Sequence, residues 1–290
     1  MSHVPVLQNA VLEYLAIRPE GIYVDATFGG GWHSRAILER LGRGRLIALD
    51  ADPEAAARTR DLVHPSFTFV HANFRDLTRI LAQLDISRVD GVLFDLGVSS
   101  MQFDDPRRGF SVTKSAPLDM RMNPYSGRSA YDVLANASER ELAEIFHAFG
   151  EERAARRVAR AIVARRREGE LPTTTTDFAR FISGVVQRPG HRERLHPATR
   201  IFQALRIAVN EELDALHDGL TAAVESLREG GRVVAISFHS LEDRIVKQML
   251  RADERIDVLT KKPVLPSERE IAENPRARSA KLRAGERRAS

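Results

Sequence analysis

The first hundred residues alternate between short apolar runs and longer amphipathic segments. The apolar runs have the length and composition of buried strands: residues 22–25, 46–50, 67–70 and 89–94. The segments between them have the pattern of helices: residues 34–41, 53–62 and 77–84. Because parallel strands are joined by helical crossovers, this alternation predicts a mostly parallel sheet with right-handed connections.

Three of the four predicted strands lead into an aspartate. Asp25 and Asp50 end the first two strands, and Asp95 follows the fourth. Ligands of open parallel sheets bind at the carboxyl ends of the strands. We therefore expect the binding site at this edge, together with the loop at residues 71–74 that follows the third strand.

After Asp95 the alternation stops for about a hundred residues. Residues 102–127 are rich in Pro, Gly, Asp and Arg and are interpreted as an ordered loop. Helices are predicted at residues 138–167, 173–186 and 199–228, and residues 232–237 supply another buried strand. The prediction is one α/β domain, residues 1–105 and 206–290, that carries an inserted helical domain at residues 106–205.

A glycine-rich turn follows the first strand. The spacing Gly29-x-Gly31-x-x-Ser34 approximates the dinucleotide fingerprint, and Asp50 lies 21 positions after Gly29, near the distance expected of an acid that binds ribose hydroxyls. No Gly-Lys-Ser/Thr ending follows, so this is not a loop that grips nucleoside triphosphates. The turn indicates a nucleoside-containing cofactor without saying which one.

Residue composition excludes several kinds of chemistry. The 290 residues contain no cysteine, which rules out thiolate zinc sites, Cys nucleophiles and covalent thiol addition to a pyrimidine ring. The nine histidines show no His-Glu-x-x-His spacing, and the nearest pair, His191 and His196, is interpreted as structural. We predict no metal site. The start of the chain has no signal-like pattern and no apolar run approaches about 18 residues, so we expect a cytoplasmic protein without membrane contact.

The net charge of +4 is distributed unevenly along the chain. Residues 106–205 contain 18 basic and 11 acidic side chains, and residues 261–290 contain 9 and 4, so the remainder is acidic. An acidic α/β body with two basic attachments predicts a polyanionic partner, although a general preference for arginine would give the same counts.

One predicted helix shows how the insertion would meet a polyanion. At 100° per residue, four arginines share one face, and three apolar residues lie opposite. The arginines are Arg153, Arg157, Arg160 and Arg167, and the apolar residues are Ala155, Val158 and Ile162. A guanidinium fork matches phosphate oxygens, which favours nucleic acid over an ordinary solvated face.

Six motifs in matching order resemble one known family. They are TFGGGWHS at 27–34, DLGVSSMQFDDPRRGF at 95–110, PLDMRM at 117–122, HPATRIFQALRIAVN at 196–210, SFHSLEDR at 237–244 and NPRARSAKLR at 274–283. Together they closely resemble the bacterial 16S rRNA cytosine-N4 methyltransferases called RsmH or MraW, and the resemblance extends from residue 3 to residue 283. It implies a class I, Rossmann-like methyltransferase fold with a helical insertion.

The resemblance also implies a reaction and its residues. The implied activity is S-adenosylmethionine-dependent methylation of the exocyclic amine of one cytidine in the decoding centre of 16S rRNA, within the small ribosomal subunit. The implied cofactor contacts are Gly31, Trp32, His33, Asp50, Phe74, Asp95 and Gln102. At position 32 the family usually has glycine, so the tryptophan is a departure from the pattern. The basic C-terminal motif adds Arg276, Arg278 and Lys281 to the predicted RNA contacts.

Three residues are candidates for handling the cytosine amine. Asp95 would either support the cofactor, the favoured interpretation, or contact the amine directly. Asp119 and His239 are weaker candidates, since loop hydrogen bonding and helix capping would explain them equally well. Phe103 and Phe110 would either stack on a splayed base or anchor their loop in a core.

Two other functions remain open from the sequence alone. A nicotinamide-dependent dehydrogenase would explain the glycine loop and Asp50, but it should show a second mononucleotide-binding half instead of basic helices. A noncatalytic RNA-binding assembly factor would keep the cofactor site as a scaffold. The sequence also leaves homodimer formation open.

Overall fold

The computed structural model describes residues 5–186 and 196–289 of the chain. The chain divides into two compact units. The sheet unit comprises residues 1–97 and 213–290, and the helical unit comprises residues 98–212. His191, one member of the histidine pair noted above, lies outside the described residues.

The described part of the sheet unit contains seven strands. They are β1 Ile22–Asp25, β2 Arg45–Asp50, β3 Phe67–His71, β4 Val89–Asp95, β5 Leu227–Ser237, β6 Ile256–Val258 and β7 Lys281–Arg287. Their order in the sheet is β3-β2-β1-β4-β5-β7-β6. Strands β1 to β5 pair in parallel, and β7 is antiparallel to both of its neighbours. The sheet is therefore mostly parallel, as predicted, and the carboxyl ends of β1 to β5 lie at one edge.

Thirteen helices are present among the described residues, numbered in chain order. The first four and the last three lie wholly or mainly in the sheet unit: α1 Gln8–Leu15, α2 Trp32–Leu38, α3 Ala55–Arg58, α4 Leu77–Gln83, α11 Glu212–Ser226, α12 Ser240–Ala252 and α13 Glu268–Glu273. The other six lie in the helical unit: α5 Ser100–Asp104, α6 Ala130–Asn136, α7 Glu139–Ala148, α8 Ala155–Arg167, α9 Thr175–Val186 and α10 Thr199–Asn210. No helix in the described ranges is both long and apolar enough to cross a membrane.

Both long predicted helices are interrupted in the structure. Residues 138–167 form α7 and α8, separated by Gly150 and by Glu151 in a left-handed conformation with φ 48°. A Cβ at position 150 would lie 2.7 Å from the carbonyl oxygen of Arg200, so the approach of α10 requires glycine there. Residues 199–226 form α10 and α11, separated by Glu211 with φ 48°, and residues 227 and 228 belong to β5. Apolar periodicity continues across both breaks, so the hydrophobic pattern alone does not show where one helix ends and the next begins.

Other boundaries shift by smaller amounts. The predicted helix at 53–62 contains only α3 followed by a 3₁₀ turn, Thr59–Asp61. Strand β5 begins at residue 227 instead of 232 and accommodates Gly230 at φ 70°. Ser138 and Glu141 form a capping box at the start of α7. In α9 the capping hydroxyl is that of Thr174, which accepts from the backbone N–H of Asp177 at 3.3 Å.

Each unit has its own hydrophobic core. In the sheet unit, buried side chains such as Phe94 and Leu220 pack on one face of the sheet, and others such as Tyr23 and Leu282 pack on the opposite face. In the helical unit, the core includes the apolar face predicted for α8, namely Ala155, Val158 and Ile162. Phe110 is also buried in this core, which makes it an anchor of its loop.

Candidate active site

The glycine turn after β1 forms a tight loop over the carboxyl edge of the sheet. Gly31 has φ 75°, and a Cβ there would lie 2.7 Å from the ring of Phe28, so glycine is required on both counts. A Cβ at Gly30 would lie 2.6 Å from Nε1 of Trp32. The indole of Trp32 is therefore turned along the loop toward Gly30, and its backbone begins α2.

Asp50 connects this loop to the end of β2. Its Oδ2 accepts from the backbone N–H of Gly29 at 2.7 Å, and its Oδ1 accepts from the backbone N–H of Asp52 at 2.8 Å. Burial raises the pKa of Asp50, and the two N–H groups partly offset this. A carboxylate offers about four acceptor positions, so the two that remain match the two hydroxyls of a ribose.

Asp25 and Asp95 lie side by side at the ends of β1 and β4. Asp25 accepts from the Ser34 hydroxyl at 2.6 Å and from the Thr27 backbone N–H at 3.1 Å. The Thr27 hydroxyl in turn accepts from the backbone N–H of Asp95 at 2.6 Å. Burial raises the pKa of Asp25 to about 6, although both hydrogen bonds act to lower it.

The carboxyl group of Asp95 is only partly satisfied. Its Oδ1 is buried and makes no hydrogen bond with any described residue, and its Oδ2 lies 3.7 Å from Nε2 of His33. Burial raises the pKa of Asp95 to about 8, and the negative charges of Asp25 and Glu242 act in the same direction. An acid held neutral beside other acids is typical of a functional site.

Glu242 is the fourth acidic residue at this edge, and the sequence motifs did not single it out. It is 3% exposed, and its Oε2 accepts from the backbone N–H of Phe238 at 2.8 Å. His239 forms a capping box with it at the start of α12, with Nε2 3.1 Å from Oε1 of Glu242. The capping role foreseen for His239 is thus present, and its catalytic role stays a prediction.

Phe74 lies in the loop after β3, and its role as a cofactor contact stays a prediction. Its ring meets that of Phe94 edge-on, with centroids 5.5 Å apart, and it approaches Gly219 so closely that a Cβ there would lie 2.6 Å away. Phe74 is half-buried, so one part of the ring packs in the core and another part remains accessible.

Two predicted site residues belong to the helical unit. Gln102 is buried and forms a capping box with Ser99, in which the Ser99 backbone N–H donates to Oε1 at 3.0 Å. Asp119 forms a two-pronged ion pair with Arg121, at 2.9 and 2.7 Å. Both contacts give these residues a local structural role, and their functional assignments stay predictions.

The arginines predicted to bind RNA are exposed in the helical unit. Arg157, Arg160 and Arg167 lie on α8, whereas Arg153 precedes the first turn of the helix. Among the described residues Arg160 pairs with Glu139 at 3.7 Å, and neither Arg153 nor Arg157 has an ion-pair partner.

The C-terminal basic residues differ in their surroundings. Arg276 and Arg278 are exposed on the 3₁₀ turn before β7. Lys281 is half-buried and lies 3.4 Å from Asp243, which also binds the buried Arg283 at 2.6 Å. Lys281 thus has a structural contact in addition to the RNA contact predicted for it.

The carboxyl edge of the sheet suits a cationic nucleoside. No lysine or arginine of the described chain forms an ion pair with Asp25 or Asp95, and Oδ1 of Asp95 is an unsatisfied buried acceptor. A ligand with positive charge would relieve both conditions. S-adenosylmethionine carries a sulfonium and an ammonium group beside a ribose, which meets these requirements and those of Asp50.

Two known proteins similar to this chain share one name. The Thermomicrobium roseum protein named ribosomal RNA small subunit methyltransferase H is 50% identical to this chain. The alignment covers 99% of this chain and 94% of that protein. The Carboxydothermus hydrogenoformans protein of the same name is 47% identical to this chain, and the alignment covers 98% of this chain and 97% of that protein. A solved structure described as a putative rRNA methylase from Clostridium thermocellum has a TM-score of 0.49 and 13% identity, covering 99% of this chain and 100% of that one.

The family comparison covers almost the whole chain. The sequence model of the MraW methylase family matches residues 1–288, which agrees with the resemblance inferred from the six motifs. The interpretation as a dehydrogenase is therefore wrong. The chain belongs to the MraW methylase family and is an S-adenosylmethionine-dependent methyltransferase with a class I fold.

Proposed function

We propose that this chain methylates the N4 amine of a cytidine in the decoding centre of 16S rRNA, in the small ribosomal subunit. The observation that carries the proposal is the buried Oδ1 of Asp95, an acceptor without a partner among the described residues. It lies at the edge of the sheet where the cofactor of such a fold binds. The names of the relatives support ribosomal RNA as the substrate, and this substrate agrees with the predicted cytoplasmic location.

A cytosine amine needs help from the protein for two reasons. Its lone pair is delocalised into the ring, so the nitrogen is a poor nucleophile, and it must lose a proton once it is methylated. Oδ1 of Asp95 would accept a hydrogen bond from the amine and orient it. The bound cofactor would supply an electrophilic methyl group on positively charged sulfur, and transfer would move the positive charge to the amine nitrogen, which must then release a proton.

The bound cofactor would leave Asp95 ionised and able to accept a proton. A neighbouring positive charge lowers the pKa of an acid, so it would bring the pKa of Asp95 below the value of about 8 found without the cofactor. Oδ1 of Asp95 would then take up the proton released by the methylated amine. His33, 3.7 Å from Oδ2, would orient the carboxyl group.

The remaining predicted residues would hold the cofactor or the base. We propose that Asp50 binds the ribose, that Phe74 contacts the adenine, and that the backbone of Gly31, Trp32 and His33 lies along the methionine part. Asp25 and Glu242 would add negative charge that favours the positively charged groups of the cofactor. Gln102, Asp119 and His239 keep their predicted roles as proposals, and the assignment of substrate recognition to residues 106–205 is likewise proposed.

Nucleoside mass spectrometry tests the reaction. We expect N4-methylcytidine to be missing from the decoding centre in a strain that lacks this chain, and to appear when small subunits from that strain are incubated with the purified protein and S-adenosylmethionine. Persistence of the modified nucleoside in the deletion strain would refute the assignment. Binding of rRNA and cofactor without any methylated product would instead support a noncatalytic assembly factor.

The arginines around α8 should bind phosphates of the RNA. We expect replacement of Arg153, Arg157 and Arg160 by alanine to weaken binding of 16S rRNA and to make its salt dependence shallower by roughly 0.7–0.9 in log–log slope for each phosphate that is no longer neutralised. The measurement is a titration with labelled rRNA between low and physiological salt. An unchanged slope would show that these three arginines do not contact RNA phosphates.

Arg166 provides a matched control on the same helix. Its guanidinium donates to the carbonyl oxygens of Leu134, Ala135 and Ala137 at 2.8–3.1 Å, where α6 ends. We expect Arg166→Ala to lower thermal stability because these carbonyls would be left without their hydrogen-bond donor, and to leave the salt slope of RNA binding unchanged.

A further inference from the structure

Tyr125 is the most exposed tyrosine among the described residues. It has 84% of its surface exposed, whereas Tyr131 has 37% and Tyr23 has 1%. Sequence reasoning did not single it out, because a tyrosine in a Pro- and Gly-rich loop shows no periodic pattern. The ring contributes no packing to the core and is available to a ligand, and tyrosine is enriched at interfaces because it has an apolar body and a polar tip.

The turn that carries Tyr125 is held by its own hydrogen bonds. Oδ1 of Asn123 accepts from the Tyr125 backbone N–H at 3.0 Å, and the Asn123 carbonyl accepts from the Ser126 N–H at 3.3 Å. Gly127 closes the turn at φ 76°, and its carbonyl accepts from Arg121 at 3.4 Å. The backbone of Tyr125 is therefore fixed in the absence of any ligand.

The residues on either side of the turn are hydrogen-bonded to the rest of the helical unit. The Ala130 N–H donates to the Asp119 carbonyl at 2.7 Å, and the Met122 N–H donates to Oδ1 of Asn210 at 2.6 Å. Asn210 also donates to the Met120 carbonyl at 2.7 Å. The ring is thus presented by a preorganised loop, and a rigid aromatic loses little conformational entropy on binding.

We propose that Tyr125 is a stacking platform for an unpaired base of the RNA substrate. Every base offers a flat π-face, and aromatic side chains on basic surfaces are the usual partners of splayed or single-stranded bases. Arg128 is exposed three residues further along the same loop and would meet the adjoining phosphate. This inference rests on the proposed function, because it assumes that the substrate is RNA.

The test compares two substitutions of Tyr125. Tyr125→Ala should raise the Kd for a labelled oligoribonucleotide with the decoding-centre sequence about 5- to 150-fold, the range for loss of one stacked base. Tyr125→Phe keeps the ring and should stay within about threefold of the wild type. Val63, which is 93% exposed in the sheet unit, provides a control for loss of an exposed apolar side chain, and Val63→Ala should have no effect. Thermal melting should be unchanged in all three variants.

Abasic substitutions along the oligoribonucleotide identify the base that stacks on Tyr125. If Tyr125 stacks on one base, an abasic site at that position should weaken binding by the wild type and add little to the Tyr125→Ala variant. Equal affinity of Tyr125→Ala and wild type, or a change in oligomeric state without a change in RNA affinity, would overturn the inference. Failure of the inference leaves N4-methylcytidine formation intact, whereas failure of the proposed function removes that product from the wild-type reaction.

Discussion

Replacement of Asp95 by asparagine should lower kcat/KM for methylation of small subunits by at least about 100-fold, the lower end of the range for a positioned acid–base group. The same substitution should stabilise the free protein at alkaline pH. With a pKa of about 8 in the folded protein and an ordinary value of 3.8 when unfolded, Asp95 binds its proton more tightly in the folded state. Its contribution to stability is complete below about pH 4 and is lost as pH rises to about 8.

Asparagine has no proton to lose, so the variant should not show this decline. We expect the free energy of unfolding to exceed that of the wild type by about 1–3 kcal/mol at pH 9, and the difference to shrink toward pH 5. Denaturant titrations at both pH values, with no cofactor present, measure the effect. A variant that is less stable than the wild type at pH 9 would contradict the assignment of Asp95 as a residue placed for function.

Asp90, at the other end of β4, provides the matched control. It is also buried, but it accepts from the Ile22 backbone N–H at 2.7 Å and forms ion pairs with Arg18 and, at 3.2 Å, with Arg228. We expect Asp90→Asn to destabilise the protein by about 1–3 kcal/mol, since it weakens bonds to charged groups. Two aspartates of one strand should therefore respond to the same substitution with opposite sign.

Replacement of Asp50, at the end of β2, by asparagine should weaken cofactor binding. We expect the Kd for S-adenosylhomocysteine to rise about 10- to 150-fold, which corresponds to about 1.5–3 kcal/mol for a hydrogen bond to a charged group. Isothermal titration calorimetry measures it. Asp61→Asn removes the same charge from an exposed position of the sheet unit and should leave the affinity unchanged.

The loop contact made by Asp50 must be separated from the ribose contact, because Gly29 and Asp52 also depend on this carboxylate. An analogue of S-adenosylhomocysteine that lacks both ribose hydroxyls makes the distinction. If Asp50 binds the ribose, its substitution should cost less than about threefold in affinity for this analogue. An equal loss of affinity for both ligands would assign Asp50 to the loop alone.

Hydrophobic periodicity and the rules of chain connection predicted which strand ends carry acidic residues. Asp25, Asp50 and Asp95 were placed at one edge because parallel strands must bring their carboxyl ends together. The sequence did not predict Glu242 as a site residue. It follows β5, more than a hundred residues after Asp95, and its position beside His239 is typical of the start of a helix. The sequence predicted Lys281 only as an RNA contact. Its ion pair with Asp243 was not predicted, because Asp243 lies on a different element.

Local pattern and the rules of chain connection were enough to determine the parallel sheet, the glycine turn and the acids beside it, because periodicity and glycine conformations are properties of neighbouring residues. The tertiary structure decided how those groups behave. Asp95 has a raised pKa because folding buries it near Asp25 and Glu242, and Arg166 differs from Arg157 because it meets the end of α6. Such effects depend on contacts between residues far apart in the chain, which no local pattern records.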